Sequence, residues 1–435
     1  MGGFQVIIVD KALEKLEKEN KPIRVGLIGA GFAGRGFMLQ MFTVVKGMRL
    51  VAVSNRTRSY AVQGFEESGY TNYKDASNAE ELENIIKSGK TALTDNPFLL
   101  TNSKQIDVIV ESTGEVEFGA QVVMRAIENK KHVVLINAEL DSTLGPILKV
   151  KADEKGVIYT QADGDQPAAL MNLYRQAISW GFKPVMVGNI KSLIDVRRTP
   201  ETQAKFARKH FQRTKMITSF ADGTKIGAEM ATIANATGFP VAKRGMEGPK
   251  CDRVENAHKL FDLQKLQKTG LTDYILGAEP SFGVFVLATC DQPIRARYMD
   301  VYKMGKGPLY TFYTPYHLSP LEATNSVARA AIFDDAALVP LGAPVCDVVT
   351  LAKRDIKKGE KLDGIGGFLT YGTIDNYDVS LKDNLLPIGL ADGCIAKRDI
   401  PMDTAITYDM IDLPQGRMSD KLRQEQNEMF YGRNS

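Results

Sequence analysis

Three glycines, two lysines and two carboxylates in this chain have the types and spacing that chemistry needs. Gly29, Gly31 and Gly34 form a G-x-G-x-x-G run directly after the apolar stretch Val25 to Ile28. In that arrangement Gly29 makes a tight turn, Gly31 lets the backbone approach a pyrophosphate, and Gly34 lets helix and strand pack closely. Phe32 and Ala33 sit inside the loop, and a helix-compatible segment runs from Phe37 to Val45. The pyrophosphate would rest on the helix N-terminus, where unpaired N–H groups and the dipole favour an anion. Further on, Lys225, Glu229 and Thr232 fall at i, i+4 and i+7 and so share one helical face. Asp222 marks the start of that helix, and a strand from Val185 delivers Lys191. A lysine and a carboxylate converging on one cleft suit polarising a carbonyl and relaying a proton during hydride transfer. The bland alternative is a surface Glu–Lys pair worth only about a few tenths of a kcal/mol; the alanine-rich surroundings favour the functional one.

These residues need elements to position them. Met48 to Asn55 reads as a second strand, ending where the ribose-reading acid of an NAD enzyme would stand. No acid is there; the sequence runs Ser54-Asn55-Arg56-Thr57-Arg58. A carboxylate would repel a 2′-phosphate, whereas an arginine fork binds one, so Asn55, Arg56 and Arg58 point to NADP over NAD. A surface-exposed arginine pair is the alternative. The stretch Tyr73 to Ser103 is poorly patterned and reads as an insertion. Strands then run from Ile106 to Gly114, from His132 to Ile136 and from Gly156 to Thr160, with a helix from Phe118 to Asn129. Ligands bind at the carboxyl ends of parallel strands, which makes Ser112, Thr113, Gly114, Asn137 and Glu139 candidates to line the nicotinamide. Alternating strands and helices of this kind imply an α/β fold, a Rossmann-type doubly wound parallel sheet over residues 1–165.

With 435 residues the chain exceeds one comfortable core. A net charge of +3 gives no reason to invoke nucleic acid or an anionic membrane. Apolar runs are far too short to span a bilayer, and Met1 to Asp10 lacks the features of a secretory signal. Cys251, Cys290, Cys346 and Cys394 are scattered without C-x-x-C spacing, which speaks against a disulfide framework or structural zinc. The expectation is a cytoplasmic protein in a reduced compartment.

The segment 166–340 holds the expected substrate chemistry. Arg197, Arg198 and Lys205 belong to a basic cluster that could grip a phosphate or carboxylate; a solvated helix face is the equal alternative. Asp165, Gln166 and Asn235 are further candidates for the substrate. His317 sits in the aromatic stretch Tyr310 to Leu318, where a lone histidine is more often structural. The amphipathic helix Pro320 to Phe333 is expected to pack back on the nucleotide domain. Near the end, Ala-Lys-Arg-Asp-Ile occurs at 352–356 and again at 396–400, which suggests two copies of a small β unit. The polar tail Gln415 to Ser435 reads as frayed or partly helical.

The strand endings Val-Glu111-Ser-Thr-Gly114 and Asn137-Ala-Glu139 resemble those of homoserine-dehydrogenase-like NAD(P) oxidoreductases. Gly164-Asp-Gln-Pro167 and Pro-Tyr316-His317-Leu are similar to one branch of that group, the deoxyxylulose-phosphate-reductoisomerase-like enzymes with a C-terminal SAF domain. The resemblance implies an α+β substrate and oligomerisation domain over 166–340 and a small all-β SAF (β-clip) domain over 341–435. It also implies a homo-oligomer, dimer or tetramer, acting on a small anionic substrate. The Asp222–Lys225 spacing departs from the homoserine dehydrogenase signature, which puts homoserine itself in doubt. The metal-binding carboxylate motif of true reductoisomerases is not seen, so no metal ligand is assigned and a divalent metal stays open. The expected function is an NADPH-dependent reduction, with deoxyxylulose phosphate the sharpest candidate. A homoserine-dehydrogenase-type or acid-sugar and polyol-phosphate oxidoreductase is the runner-up, and a non-catalytic NADP sensor is the alternative of another class.

Overall fold

A computed structural model describes residues 8–432. The first seven residues, part of the stretch read as lacking a secretory signal, and the last three of the tail lie outside them. The chain divides into two compact units. One takes residues through Asn137, Ile147–Asp165 and Leu318–Val339; the other takes Ala138–Pro146, Gln166–His317 and the chain from Pro340 onward. Residues 138–146 and 318–339 each sit in the unit other than that of their sequence neighbours.

The first unit is built on seven strands: β1 (Ile23–Ile28), β2 (Met48–Ser54), β3 (Tyr73–Asp75), β4 (Thr91–Thr94), β5 (Val108–Glu111), β6 (His132–Leu135) and β7 (Tyr159–Gln161). All pair in parallel, in the order β3-β4-β2-β1-β5-β6-β7. This is the doubly wound, Rossmann-like sheet that the strand pattern anticipates. Its winding reverses at β1, which lies between β2 and β5, and such a switch point opens a ligand crevice at the strands' carboxyl ends. The stretch read as an insertion is instead regular. It supplies β3, β4 and the helices Ala79–Lys87 and Pro97–Asn102. β3 escapes a sequence reading because it is a three-residue edge strand of polar, largely exposed residues, Tyr-Lys-Asp.

The helix Ser319–Phe333 joins this unit. Ala323, Val327 and Ala328 lie in the same apolar core as Val25, Phe37 and Met38. That burial, unavailable to a polar connector, is why 318–339 belongs with the sheet although it follows the intervening segment in sequence.

The second unit carries a mixed sheet of β8 (Lys183–Lys191), β9 (Leu271–Leu276), β10 (Val284–Thr289) and β11 (Leu309–Thr314), ordered β11-β10-β8-β9. The helix Thr224–Thr237 is buried at every residue except Lys225. Left-handed glycines stop it at both ends, Gly223 (φ 90°) and Gly238 (φ 77°). Its small residues allow close approach to the hairpin of β12 (Cys346–Ala352) and β13 (Thr370–Asn376): a Cβ on Gly227 would lie 3.3 Å from a Val348 methyl.

The repeated pentapeptides form a reciprocal pair. Ile356 and Ile400 exchange both backbone hydrogen bonds, at 2.9 and 2.8 Å. Asp355 accepts from the Met402 N–H and Asp399 from the Lys358 N–H, each at 2.9 Å. Each copy thus caps the other. The tail differs from a frayed end: Met418–Tyr431 is a helix with Leu422, Arg423, Gln426 and Asn427 buried. Three of those four are polar, so composition hides the packing that holds it.

Candidate functional site

Two sets of residues could do chemistry, one in each unit. In the first, the glycine run leaves β1 and enters the helix Phe32–Thr43. Gly29 adopts φ 100°, and a Cβ there would meet the Ser112 carbonyl oxygen at 2.6 Å. At Gly34 a Cβ would stand 2.0 Å from the Gly29 carbonyl oxygen. Around Gly31 nothing lies within 4 Å, and no side chain caps the helix it begins. The loop is therefore tight where it must be tight and open where an anion would sit, with uncapped N–H groups facing that space. Phe32 is exposed and Ala33 half-buried on the first turn. A dinucleotide pyrophosphate fits this cradle.

The candidates beyond β2 separate into different roles. Asn55 braces the loop: its Oδ1 accepts from the Ala30 N–H at 2.9 Å and its Nδ2 donates to the Thr57 carbonyl at 2.7 Å. The acid position is thus filled by an amide already committed to backbone. Arg58 makes a fork to Asp75, with both hydrogen bonds 2.8 Å long. Arg56 is exposed and makes no ion pair among the described residues, which leaves it the arginine available to a phosphate.

At the ends of β5 and β6, Glu111 is buried and accepts from the Thr113 N–H at 2.8 Å and from Asn137 Nδ2 at 2.8 Å. Gly114 follows at φ 71°. Thr113 and Asn137 are therefore tied to one buried carboxylate, while Ser112 presents its backbone to Gly29. Asp165 is buried, its Oδ2 making no hydrogen bond among the described residues.

In the second unit the sequence places Lys225 and Glu229 on one helical face, and the structure gives each a partner. Lys225 Nζ lies 3.1 Å from both carboxylate oxygens of Glu139, in the first turn of the helix Ala138–Lys155. Glu229 lies 3.8 Å from Lys191 Nζ at the end of β8. All four side chains are less than one-fifth exposed, so these are not surface pairs. Glu139, expected to line the nicotinamide, pairs with Lys225. Asn189 and Thr232 are fully buried nearby in sequence register, and Asn189 Nδ2 and Thr232 Oγ1 make no hydrogen bond among the described residues. The sequence points to both without giving either a role: Thr232 shares the Lys225 face, and the strand that delivers Lys191 also delivers Asn189.

Other candidates serve the framework. Asp222 is buried, and Lys353 Nζ donates to it at 2.8 Å while the Thr224 N–H donates at 2.9 Å. Burial pushes its carboxyl above the usual carboxylate range, against the pull of Lys353. Lys353 also donates to the carbonyls of Arg198 and Gly367, at 2.8 and 2.9 Å. Asp222 is thus paired away from the Lys191–Glu229 and Lys225–Glu139 pairs. Arg197 bonds the Lys353 carbonyl and Asp403, and Arg198 bonds Asp195 at 2.9 Å. Lys205 is exposed on the helix Pro200–Lys209. Asn235 Oδ1 accepts from the Val345 and Cys346 N–H groups, at 2.7 and 2.9 Å, a structural task. His317 stacks on Phe282, with ring centroids 4.4 Å apart, and Gln166 is buried at a helix start. Among the described residues no three His, Cys, Asp or Glu side chains gather to hold a metal. No helix among them is long and apolar enough to cross a membrane.

Residues 164–323 match the family described as "Oxidoreductase DRL, catalytic domain". The chain is 32% identical over 120 residues to a homoserine dehydrogenase of Methylobacillus glycogenes, covering 28% of this chain and 26% of that protein. It is also 32% identical over 138 residues to a homoserine dehydrogenase of Pseudomonas aeruginosa, covering 32% and 28%. The match thus spans little more than a quarter of each relative. Among solved structures, a homoserine dehydrogenase from Thiobacillus denitrificans aligns over 88% of this chain and 98% of its own, with TM-score 0.40 and 14% identity. A DOX-P reductoisomerase structure aligns over 48% and 56%, with TM-score 0.34 and 15% identity.

Proposed function

We propose that this homoserine-dehydrogenase-like oxidoreductase reduces a small, anionic, hydroxylated carbonyl compound, with Lys225 as the group that holds and protonates the carbonyl oxygen. The observation that carries this reading is the Lys225 ammonium set against both oxygens of the buried Glu139 carboxylate. An adjacent carboxylate favours the charged lysine, and a charged lysine in a poorly solvated site stabilises a developing alkoxide. Lys191 and Glu229 supply a second donor and acceptor for a neighbouring hydroxyl. When bound, a reduced nicotinamide supplies the hydride. Its pyrophosphate would rest on the first turn after Gly31, and Arg56 would meet the 2′-phosphate, which supports NADPH over NADH.

Deoxyxylulose phosphate is the favoured substrate, on the resemblance and on the oxidoreductase family matched by residues 164–323. The similarity to homoserine dehydrogenases supports a homoserine-type or acid-sugar reaction as the second reading. Arg197 and Arg198 would grip an anionic end only by releasing Asp403 and Asp195. Four free, buried cysteines support a reducing, cytoplasmic setting, and we place the protein there as a homo-oligomer with its SAF-like segment as accessory.

Nicotinamide fluorescence on titration with NADPH and NADH tests the reading, followed by deoxyxylulose phosphate, aspartate semialdehyde and homoserine. Oxidation of NADPH by deoxyxylulose phosphate or aspartate semialdehyde, or reduction of NADP by homoserine, lost in Lys225→Ala with binding retained, is the expected result. Binding without turnover on any substrate would favour the sensor. No nucleotide binding would overturn the nucleotide reading at Gly29.

A further inference from the structure

We infer that Arg423, on the C-terminal helix Met418–Tyr431, positions Glu139 for its contact with Lys225. The inference rests on the role just given to that pair. Glu139 lies in the first turn of the helix Ala138–Lys155, and Pro146 follows within the same helix. A proline supplies no N–H, so the Ser142 carbonyl lacks its usual helical donor and this short turn is weakly held by its own ladder. Side-chain contacts from within the turn and from the helix Met418–Tyr431 add to it. Thr143 Oγ1 donates to the Glu139 carbonyl at 2.7 Å, and Ser142 Oγ donates to it at 3.2 Å. Arg423 Nη1 donates to the Thr143 carbonyl at 3.1 Å, and Gln426 Nε2 reaches the same oxygen at 3.5 Å.

The clamp is itself anchored. Arg423 is 4% exposed, forms an ion pair with the buried Asp347, and lies over the Tyr377 ring, 4.6 Å from its centroid. Ser380 donates to the same Asp347 carboxylate at 2.8 Å, and Tyr377 donates to Asn427 at 2.6 Å. Gly389 lies so close that a Cβ there would stand 2.2 Å from Thr143 Oγ1. The turn bearing Glu139 is thus met by a guanidinium at the Thr143 carbonyl and by a bare backbone at the Thr143 side chain. A buried arginine is costly unless its charge is compensated, and Asp347 supplies that compensation. Arg423 Nη1 also donates to the turn that presents the Glu139 carboxylate, while Arg423 Nε makes no hydrogen bond among the described residues.

The test uses full-length protein and a readout that needs no substrate. Competitive acetylation with acetic anhydride, read at Lys225 by mass spectrometry, reports how firmly Glu139 holds the ammonium. Glu139→Gln sets the scale, and a several-fold rise in labelling at Lys225 is expected because the neutral amine is the nucleophile. Arg423→Met should give the same rise, and Arg423→Lys should restore most of the protection. Arg417→Met is the control, since Arg417 is the N-cap residue of the same helix, pairs with Asp420 and the Asp392 carbonyl, and has no hydrogen bond to Thr143 among those described. It should leave Lys225 at its wild-type rate. Should Arg423→Met fail to fold, Gly389→Ala displaces the Thr143 side chain by steric contact and should raise labelling likewise.

Wild-type labelling in folded Arg423→Met, with a rise in Glu139→Gln, would overturn the inference. An equal rise in Arg417→Met would overturn it too, as a general effect of helix docking. With a substrate that turns over, Arg423→Met should lower kcat at least tenfold and leave KM and NADPH affinity near wild type. Failure of the functional reading has its own signature, turnover retained by Lys225→Ala.

Discussion

Lys353 and Lys397 hold the same place in the two copies of Ala-Lys-Arg-Asp-Ile, yet Lys353 Nζ lies 2.8 Å from the buried Asp222 while Lys397 reaches an exposed Asp412 at 3.4 Å. The copies are symmetric in their backbone pairing and in their aspartate caps, and they part company at this lysine. Removing Lys353 strands a carboxylate with no exposed surface, whereas removing Lys397 frees one that water already solvates. Lys353→Met is expected to destabilise the protein by about 3–5 kcal/mol. Lys397→Met should cost no more than about 1 kcal/mol. Urea unfolding of the two variants checks the difference.

For Lys225 the expected loss is in catalysis, not in folding. Lys225→Ala should lower kcat by about 10²–10⁴, the range of a positioned proton donor. NADPH affinity should stay within twofold, because the nucleotide cradle lies on residues of the other unit. Asp222→Asn should behave differently, lowering stability through its pairing with Lys353. A kcat loss in Asp222→Asn as large as in Lys225→Ala, with stability unchanged, would return Asp222 to the reacting groups.

Much of this was legible in the sequence for identifiable reasons. The glycine run was readable because backbone constraint shows directly as residue type: Gly29 and Gly34 leave no room for a Cβ. Periodicity placed Lys225, Glu229 and Thr232 on one face. Their partners could not be read, because Glu139 and Lys225 are separated by 86 residues. The same distance problem hid Lys353 behind Asp222 and Arg423 behind Thr143. Asn55 and Arg58 show a different limit of residue type. Their types matched a phosphate site, but an amide can brace a loop and an arginine can pair with a carboxylate through the same atoms. Composition failed at the tail, where buried polar residues are held by partners from distant segments.

The glycine cradle makes a prediction that separates folding from binding. Gly34→Ala puts a methyl against a backbone oxygen 2.0 Å away, so the loop must shift. A stability loss of about 1–3 kcal/mol is expected, with nucleotide binding lost. Gly31→Ala meets nothing within 4 Å and should fold with stability within about 0.5 kcal/mol of wild type. Its methyl would occupy the space of the pyrophosphate, so NADPH binding should weaken by at least about tenfold, roughly 1.4 kcal/mol. Thermal melts and fluorescence titration report the two effects independently. Arg56→Ala should weaken NADPH by a similar factor and leave NADH unchanged.

The pH dependence of stability should carry the mark of His132. This residue begins β6, and its Nδ1 accepts a hydrogen bond from the Ile158 N–H at 3.0 Å. Burial pushes its pKa below the usual 6.5, with Asp334 and Asp107 pulling weakly the other way. A base with a depressed folded-state pKa binds fewer protons folded than unfolded, so stability rises with pH across the window between the two values. The contribution is therefore complete above 6.5 and is lost as the pH falls below it toward the folded-state value. Protonation also removes the acceptor for Ile158, worth about 1 kcal/mol. His132→Asn offers a carbonyl oxygen to the same N–H without titrating. Urea midpoints measured from about pH 5 to pH 8 should fall on the acid side in the wild type and fall less in His132→Asn. Parallel curves for the two proteins would show that the histidine titrates alike in both states.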